Sequence, residues 1–253
     1  MSPLYDSHCH LDAAEFEADR DAVLARARAA GVTRQLLPAV DRESWDRIRD
    51  LCAREPGLRP AYGLHPMFLE HHAPDHLQAL GDWLERERPA AVGECGLDYY
   101  VEGLDQDEQQ RYLDGQLALA RDLDLPVVLH ARRAVDAIIA SLRRVGGLRG
   151  VVHSWSGSEE QARQLFSLDF SLGIGGPVTY ERAKRLRRTV ADMPLEFLLL
   201  ETDAPDQPGH GHRGERNEPA HLTQVLAEVA KLRGMPEAAV AEATTANALR
   251  LFG

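Results

Sequence analysis

Eight short apolar runs alternate along the chain with longer segments of helical periodicity, and this alternation constrains the fold more than any other feature. Leu113, Leu117 and Ala120 form one such helical stripe. Strands that alternate with helices form right-handed crossovers and a parallel sheet. Eight such units in 253 residues favour closure into a (β/α)₈ TIM barrel over an open sheet. The apolar runs cover residues 4–8, 34–40, 58–65, 90–95, 125–130, 148–154, 169–176 and 195–203.

The whole chain, residues 1–253, is predicted to form one domain. No linker, low-complexity tract or fixed repeat interrupts the alternation. The tail from Glu218 to Phe252 predicts two further helices, separated near Gly234 and Pro236. Pro38 lies inside the second apolar run and weakens the prediction of a strand there.

Composition limits the class of protein more than it limits the substrate. The apolar runs are shorter than the roughly 18 residues that span a bilayer, and the first residues lack the pattern of a secretory signal. We therefore expect a cytoplasmic protein without membrane contact. The formal net charge of −11 disfavours a broad nucleic-acid-binding face. A nucleic-acid substrate stays compatible with this charge, because divalent cations in a cleft reverse the charge locally.

The three cysteines are scattered and form no CxxC pair, which favours neither a disulfide framework nor a structural zinc site. Cys9 lies between two histidines, and Cys95 follows a glutamate. On strands, both thiols face away from those neighbours. We expect them to be buried as small apolar side chains.

Metal-capable side chains lie at the carboxyl ends of five of the predicted strands. His8 and His10 are two residues apart, so on a strand both project from the same face. In a parallel barrel the carboxyl ends of the strands meet at one mouth, where active sites are built. Each histidine alone is better explained as a core residue, but six candidates at strand ends suit a binuclear metal centre with a shared carboxylate. The set is His8, His10, Glu94, His130, His153 and Asp203.

The motifs around these residues resemble the TatD family of metal-dependent deoxyribonucleases, from residue 5 to the end and with matching spacing. Cys9 and Cys95 depart from the commoner family residues, at positions facing away from the expected metals. ETDAPDQP resembles one branch of the family, in which an acidic residue follows alanine and proline. The resemblance rests on HCHLD (8–12), GLHP (63–66), GECGLDYY (93–100), LPVVLHARRA (125–134), VVHSWSGS (151–158), LLLETDAPD (198–206), RGERNEP (213–219) and TTANALRLF (244–252).

The resemblance implies a division of the ligands between two metals. His8, His10 and Asp203 would hold one cation, and His130 and His153 would hold the other, with Glu94 as the bridge. The two cations would activate a water for attack. Asp203 is our candidate general base, because one carboxylate oxygen can bind a metal while the other accepts the proton of the attacking water.

Substrate-binding residues are predicted at the same mouth. Arg132 and Arg133 follow His130 and could bind a phosphate bidentately, although a solvated helix start is an equal alternative. The resemblance also places His65 at the mouth, where it could bind a substrate phosphate or serve structure alone. Ser154 could line the pocket.

Four nearby residues have expected local roles. Asp98 and Glu201 are expected to orient ligand histidines through hydrogen bonds. Ser158 could line the pocket or cap the helix that follows. Trp155 could stack on a base, although apolar packing is the preferred interpretation.

The preferred function is a deoxyribonuclease that hydrolyses phosphodiester bonds in DNA or in another nucleotide-containing substrate. A 3′–5′ exonuclease is one form that this activity could take. The alternative is a hydrolase of another ester, amide or phosphoester bond in a small molecule, since fold does not fix function. A non-catalytic metal-binding protein is a third interpretation, against which the complete ligand set argues.

The expected cofactors are two divalent cations, zinc, manganese or magnesium, and nitrogen-rich ligation suits magnesium least. Without an apolar seam, a monomer is expected.

Overall fold

The computed structural model describes residues 3–253, and its framework is one sheet of eight parallel strands in the order of the chain. Each strand pairs with the next one along the sequence, so every connection is a crossover through a helical segment. The strands are β1 (Leu4–Asp6), β2 (Val32–Pro38), β3 (Leu58–Tyr62), β4 (Ala91–Asp98), β5 (Val127–Arg132), β6 (Gly150–Val152), β7 (Phe170–Ile174) and β8 (Leu198–Leu200).

Contacts between the ends of β8 and β1 close the sheet into a barrel. The Ser7 N–H donates to the Leu200 carbonyl oxygen at 2.9 Å. The Thr202 N–H donates to Asp6 Oδ1 at 2.9 Å, and both side chains are buried. The predicted (β/α)₈ barrel is therefore confirmed, including a strand that ends at Pro38.

Within the described residues, 3–253, nine α-helices surround the barrel, and local sequence explains where several of them begin and end. The Ser158 side chain accepts from the Gln161 N–H while Gln161 bonds back to Ser158, which begins α6. Gly234 ends α8 in the left-handed conformation at φ 61°. The helices are α1 (Arg20–Ala29), α2 (Ser44–Arg54), α3 (His76–Glu87), α4 (Gln106–Asp122), α5 (Val135–Val145), α6 (Glu159–Phe166), α7 (Lys184–Asp192), α8 (Leu222–Arg233) and α9 (Glu237–Phe252).

The barrel interior is apolar at its amino-terminal end. Phe252 of α9 covers this end and contacts the ring of Tyr5 at a centroid distance of 6.3 Å. Val128 and Val151 belong to the same buried cluster. Residues two apart on a strand share a face, so the residues two positions further on face the interior at the opposite end. Those residues, His130 and His153, begin the candidate site.

The second buried cluster lies between the sheet and the helices. The predicted stripe of Leu113, Leu117 and Ala120 is fully buried there. Cys9 and Cys95 are also fully buried, as their sequence positions predicted. Within residues 3–253, no helix combines the length and the apolar character that a membrane span requires.

Candidate metal centre

The predicted ligands from five strand ends converge on one buried carboxylate, that of Glu94 in β4. Its side chain is 2 % exposed and lies within 3.7 Å of imidazole nitrogens from five histidines. The two carboxylate oxygens face different sets of side chains. This division separates the site into two groups of potential ligand atoms.

The first group surrounds Glu94 Oε2. His8 Nε2 lies 3.1 Å from this oxygen, 3.2 Å from His10 Nε2 and 3.5 Å from Asp203 Oδ1. His10 Nε2 lies 3.7 Å from Glu94 Oε2 and 3.7 Å from Asp203 Oδ1. All four side chains therefore present an atom to one small volume.

The second group surrounds Glu94 Oε1. His153 Nε2 lies 2.8 Å from this oxygen, His130 Nδ1 lies 3.2 Å from it, and the two imidazole nitrogens are 3.4 Å apart. His65 Nε2 approaches the same oxygen at 3.0 Å. His65 was expected either to bind a substrate phosphate or to serve structure alone, and it lies in contact with the predicted bridging carboxylate.

The spacing within both groups fits a bound divalent cation. Metal–ligand bonds of about 2.0–2.2 Å in tetrahedral geometry put the ligand atoms about 3.4 Å apart. The distances in the first group run from 3.1 to 3.7 Å, and those between Glu94, His130 and His153 run from 2.8 to 3.4 Å. Imidazole nitrogens with carboxylate oxygens are a donor set that transition metals accept.

His130 is held in the protonation state that a metal ligand needs. Its Nε2 lies 2.8 Å from Asp98 Oδ2, and because an ionised carboxylate only accepts, the proton sits on Nε2. In the neutral ring, this leaves the lone pair of Nδ1 directed at the second group. Asp98 thus orients His130, as the sequence predicted.

His65 is held in the opposite state. Its Nδ1 accepts from the Met67 N–H at 3.1 Å, so in the neutral ring the proton sits on Nε2 and is donated to Glu94 Oε1. A protonated nitrogen has no lone pair for a metal. The geometry therefore makes His65 a hydrogen-bond donor beside the second group.

The charges of the site depend on one another. Burial alone would raise the pKa of Glu94, but His153, His65 and His8 hold it well below its usual range. Burial, together with the nearby His153, lowers the pKa of His8 to about 4. The rings of His8 and His153 stack at 3.9 Å with an interplanar angle of 12°, an arrangement that disfavours two positive charges.

The glycines of GECGLDYY allow the strands to pack closely around Glu94. A Cβ on Gly96, where φ is +145°, would lie 2.0 Å from the carbonyl oxygen of His130. A Cβ on Gly93 would lie 2.7 Å from Cβ of Val128. Both contacts are shorter than any tolerated separation, so β4 and β5 can hold Glu94 and His130 this close only with glycine here.

A polar chain that sequence reasoning missed runs from Ser154 to Asp203. Gln207 Nε2 donates to Asp203 Oδ2, the oxygen that faces away from His8, and to Ser154 Oγ at 2.7 Å. The Ser154 hydroxyl is thus committed to Gln207 in this structure. In the sequence, only the position of Gln207 directly after ETDAPD could have suggested this contact. Loop residues show no periodicity from which the orientation of their side chains can be predicted.

Glu201 lies beneath the site without making the predicted hydrogen bond. Its Oε1 accepts from the Ser154 N–H but is 3.9 Å from His153 Nδ1, which is too long for a hydrogen bond. Burial raises the pKa of Glu201 to about 8, since desolvation outweighs the nearby His153. A Cβ on Gly173 would lie 2.0 Å from Glu201 Oε2, so the carboxyl packs directly against β7.

The remaining predicted residues lie around the mouth. Arg132 and Arg133 are exposed, and their guanidinium carbons lie 3.7 and 4.6 Å from the ring centroid of Tyr100. Trp155 is buried in the core, which agrees with the packing interpretation. Ser158 caps α6 rather than lining the site.

A closed α/β barrel with histidine and carboxylate groups gathered at the carboxyl ends of its strands defines the class of metal-dependent barrel hydrolases. Within that class, the chain belongs to the TatD related DNase family, whose model matches residues 5–253. The chain is therefore a metal-dependent hydrolase, in agreement with the resemblance of its motifs.

Relatives and solved structures of similar length support this assignment. The chain is 43 % identical over 251 residues to the uncharacterized metal-dependent hydrolase YjjV of Escherichia coli (strain K12), covering 98 % of this chain and 96 % of the relative. It is 34 % identical to the 3′-5′ ssDNA/RNA exonuclease TatD of Klebsiella pneumoniae (strain 342), covering 99 % and 98 %. The crystal structure of the E. coli YjjV protein superposes with a TM-score of 0.93 at 42 % identity, covering 98 % and 97 %.

Proposed function

We propose that the site holds two divalent cations, one on each side of Glu94. His8, His10 and Asp203 would hold the first, His130 and His153 the second, with one Glu94 oxygen toward each. This proposal is supported by the spacing of the ligand atoms and by the protonation state of His130. The donor set suits zinc or manganese better than magnesium.

The roles of the chain's own residues follow from their positions. Bound cations would supply Lewis acidity and lower the pKa of a coordinated water toward neutrality. Asp203 would accept the proton of the attacking water at Oδ2, the oxygen that Gln207 orients. Glu94 would keep the two ligand groups at a fixed separation. His65 would orient the bridging carboxylate of Glu94 by donating its Nε2 proton to Oε1, and this bond leaves no proton on the ring for a substrate phosphate.

An uneven distribution of positive charge supports a polyanionic substrate. Among residues 3–253, five cationic side chains have neither a hydrogen-bond nor an ion-pair partner, and all five are exposed. One is the last residue of β5 and the other four follow the carboxyl ends of β5, β7 and β8, on the face that carries the site. We call them the rim cations: Arg132, Arg133, Arg182, Lys184 and Arg213.

The functional proposal depends chiefly on the position of the rim cations, which lie on one face and have no hydrogen-bond or ion-pair partner. The chain has a formal net charge of −11, and its other arginines and lysines are hydrogen-bonded or ion-paired. Unpaired cations on one face of an acidic protein attract an anionic ligand to that face. We infer that the enzyme hydrolyses phosphodiester bonds in DNA, as a nuclease of the TatD type. The exonuclease activity that the K. pneumoniae relative's name records is consistent with this inference.

The test compares substrates on the same preparation. Purified enzyme is incubated with single-stranded DNA labelled at its 5′ end, with bis(p-nitrophenyl) phosphate and with p-nitrophenyl carboxylate esters, before and after removal of metal with EDTA and its restoration with Mn²⁺. We expect nucleotide release that EDTA abolishes and Mn²⁺ restores. Turnover of the carboxylate esters alone would favour the small-molecule hydrolase, and no turnover with metal bound would favour the non-catalytic interpretation.

Two variants test the residues of the site. Glu94→Gln and Asp203→Asn are expected to lower kcat by at least about 100-fold, because the first removes the carboxylate shared by the two metals and the second removes the group that accepts the proton of the attacking water. Metal content is measured by mass spectrometry, and Glu94→Gln is expected to bind less metal than the wild type. If both variants retain full hydrolysis with two metals per chain, the assignment is wrong.

A further inference from the structure

Among residues 3–253, Tyr100 is the most exposed of the large hydrophobic side chains, and it lies at the rim of the site. It is 46 % exposed, although its ring contacts the guanidinium groups of Arg132 and Arg133 at 3.7 and 4.6 Å. We call these three residues the Tyr100 cluster. Its two arginines are also two of the five rim cations.

Stacking on an aromatic ring leaves an arginine free to bind an anion. The contact uses the face of the guanidinium plane, whereas the N–H donors lie in that plane and point outward. A carboxylate partner would occupy those donors, and neither arginine has one among residues 3–253. The ring of Tyr100 therefore restricts the two side chains without consuming their capacity to bind a phosphate bidentately.

The Tyr100 cluster is tied directly to the second ligand group. Asp98 Oδ1 accepts from the Tyr100 N–H at 2.8 Å, while Oδ2 of the same carboxylate accepts from His130 at 2.8 Å. The Tyr99 N–H donates to the Arg132 carbonyl oxygen at 2.9 Å. The backbone that carries Tyr100 and Arg132 is thus fixed relative to His130.

The spacing along β5 defines what the cluster can reach. His130 and Arg132 are two residues apart on this strand, so they share a face and are separated by about 6.6 Å along it. Successive phosphates of a nucleic-acid strand are separated by a similar length. A phosphate bound beside His130 would therefore leave its neighbour within reach of Arg132.

We propose that the Tyr100 cluster binds the phosphate next to the scissile one, with Arg132 and Arg133 as its ligands and Tyr100 as the residue that positions them. This inference rests on the proposed nuclease function and gives it a specificity: the enzyme selects oligonucleotides over small phosphodiesters, which have no second phosphate. Tyr100 acts through the arginines and touches no reacting atom.

The test uses three substrates that differ in the neighbouring phosphate. They are a single-stranded oligonucleotide, the same oligonucleotide with one neutral methylphosphonate at the linkage adjacent to the 3′-terminal one, and bis(p-nitrophenyl) phosphate. For the wild type, we expect the methylphosphonate to raise KM about tenfold with little change in kcat, since a charge-assisted contact is lost. For Tyr100→Leu and Arg132→Gln, the kcat/KM ratio between oligonucleotide and small diester should fall about tenfold.

Matched variants separate positioning from general damage. Tyr100→Phe retains the ring and should retain the ratio, and Arg163→Gln removes one exposed charge on α6 and should also retain it. Metal content and thermal unfolding of each variant show whether the fold and the centre are intact. A methylphosphonate effect that persists unchanged in Arg132→Gln would overturn the inference, as would equal KM values for the two oligonucleotides with the wild type. A wild type that cleaves only the small diester would instead overturn the nuclease proposal.

Discussion

At the scale of single residues, Asp98 shows how one carboxylate can serve two elements. One of its oxygens fixes the proton of His130, and the other accepts from the Tyr100 and Val101 N–H groups. These bonds hold the pKa of Asp98 at about 2, although burial alone would raise it. Asp98 therefore stays ionised throughout the range in which the enzyme would work.

Replacing Asp98 with asparagine is expected to weaken binding of the second metal. The amide keeps the size of the side chain but binds an imidazole N–H more weakly than a carboxylate, so affinity at His130 should fall about 10- to 100-fold. Calorimetric titration of metal-free enzyme with Mn²⁺ measures the affinities of the two sites separately. Asp107→Asn, an exposed acid in the first turn of α4, is the control. If Asp98→Asn bound both metals with the affinities of the wild type, the proposed ligand set would be contradicted.

His153 is expected to make the metal-free protein sensitive to alkaline pH. Burial opposes its protonation, but Glu94 raises its pKa to about 10, above the usual value of 6.5. A raised pKa in the folded state stabilises the protein below pH 6.5, and this contribution is lost as the pH rises through 10. With EDTA present, the free energy of unfolding should therefore fall between pH 8 and pH 9.5. Urea titrations at the two pH values measure it.

The variant His153→Gln isolates this effect. It cannot be protonated, so its free energy of unfolding should change less than that of the wild type between the same two pH values. His8 titrates below this window, because burial lowers its pKa to about 4. Identical pH dependence in variant and wild type would show that His153 carries no proton in the metal-free protein.

Residue identities at strand ends could be predicted from the sequence, but their hydrogen-bonding states could not. His8, His130 and His153 follow apolar runs, and barrel geometry alone brings such positions together. The protonation of His65 depends on a single contact with the Met67 N–H, which no periodicity reveals. For the same reason, its position beside Glu94 could not be derived.

At the scale of elements, the segment between β8 and α8 is organised by Asn217. Its Nδ2 donates to the carbonyl oxygens of Thr202 and Asp206 at 2.8 Å each. Its Oδ1 accepts from the Glu218 N–H and from His221 at 3.0 Å each. Asn217 is buried, and its side chain supplies hydrogen-bond partners to backbone groups on both sides of Asp203.

Asn217→Ala is expected to destabilise the protein by about 2–4 kcal/mol, because it leaves buried carbonyl groups without donors. Asn217→Asp keeps the acceptor and loses the donors, so it should be destabilised at least as much. Urea unfolding of both variants measures the loss. If Asn217→Asp were as stable as the wild type, the donor half of the side chain would have no structural role.

The boundaries of helices and strands could be predicted from the sequence where turn residues flank the apolar runs. The two closing helices lie on either side of Gly234 and Pro236, as predicted. The run at 34–40 proved to be a strand from Val32 to Pro38, since proline at the last position interrupts few ladder hydrogen bonds. The conformation of loop residues such as Gln207 depends on tertiary contacts and lay beyond sequence patterns.

At the scale of the whole molecule, an acidic chain keeps its five unpartnered cations, among residues 3–253, in the segments at the carboxyl ends of the strands. The surface is acidic, while the rim cations surround the mouth. Since each phosphate contact releases bound counterions, binding of single-stranded DNA should weaken steeply as salt concentration rises. The sequence composition alone therefore underestimates the affinity of this face for polyanions.

Removing one rim cation is expected to change the salt dependence by a defined amount. For Arg213→Gln, the slope of log Kd against log salt should fall by about 0.7. Fluorescence anisotropy with a labelled oligonucleotide measures Kd, in the Asp203→Asn background to prevent cleavage. Arg163→Gln, on the outer surface of α6, should leave the slope unchanged. An equal effect of both substitutions would exclude a specific role for the rim.

Closure of the barrel between Asp6 and Thr202 also determines when the enzyme can first exist during its own synthesis. His8 is translated before Asp203, and the Asp203 N–H donates to the His8 carbonyl oxygen at 2.9 Å. A nascent chain that ends before this point has an open sheet and an incomplete ligand set. The proposed ligand set is therefore complete only after Asp203 has been added, and a chain truncated before Asp203 is expected to lack hydrolytic activity.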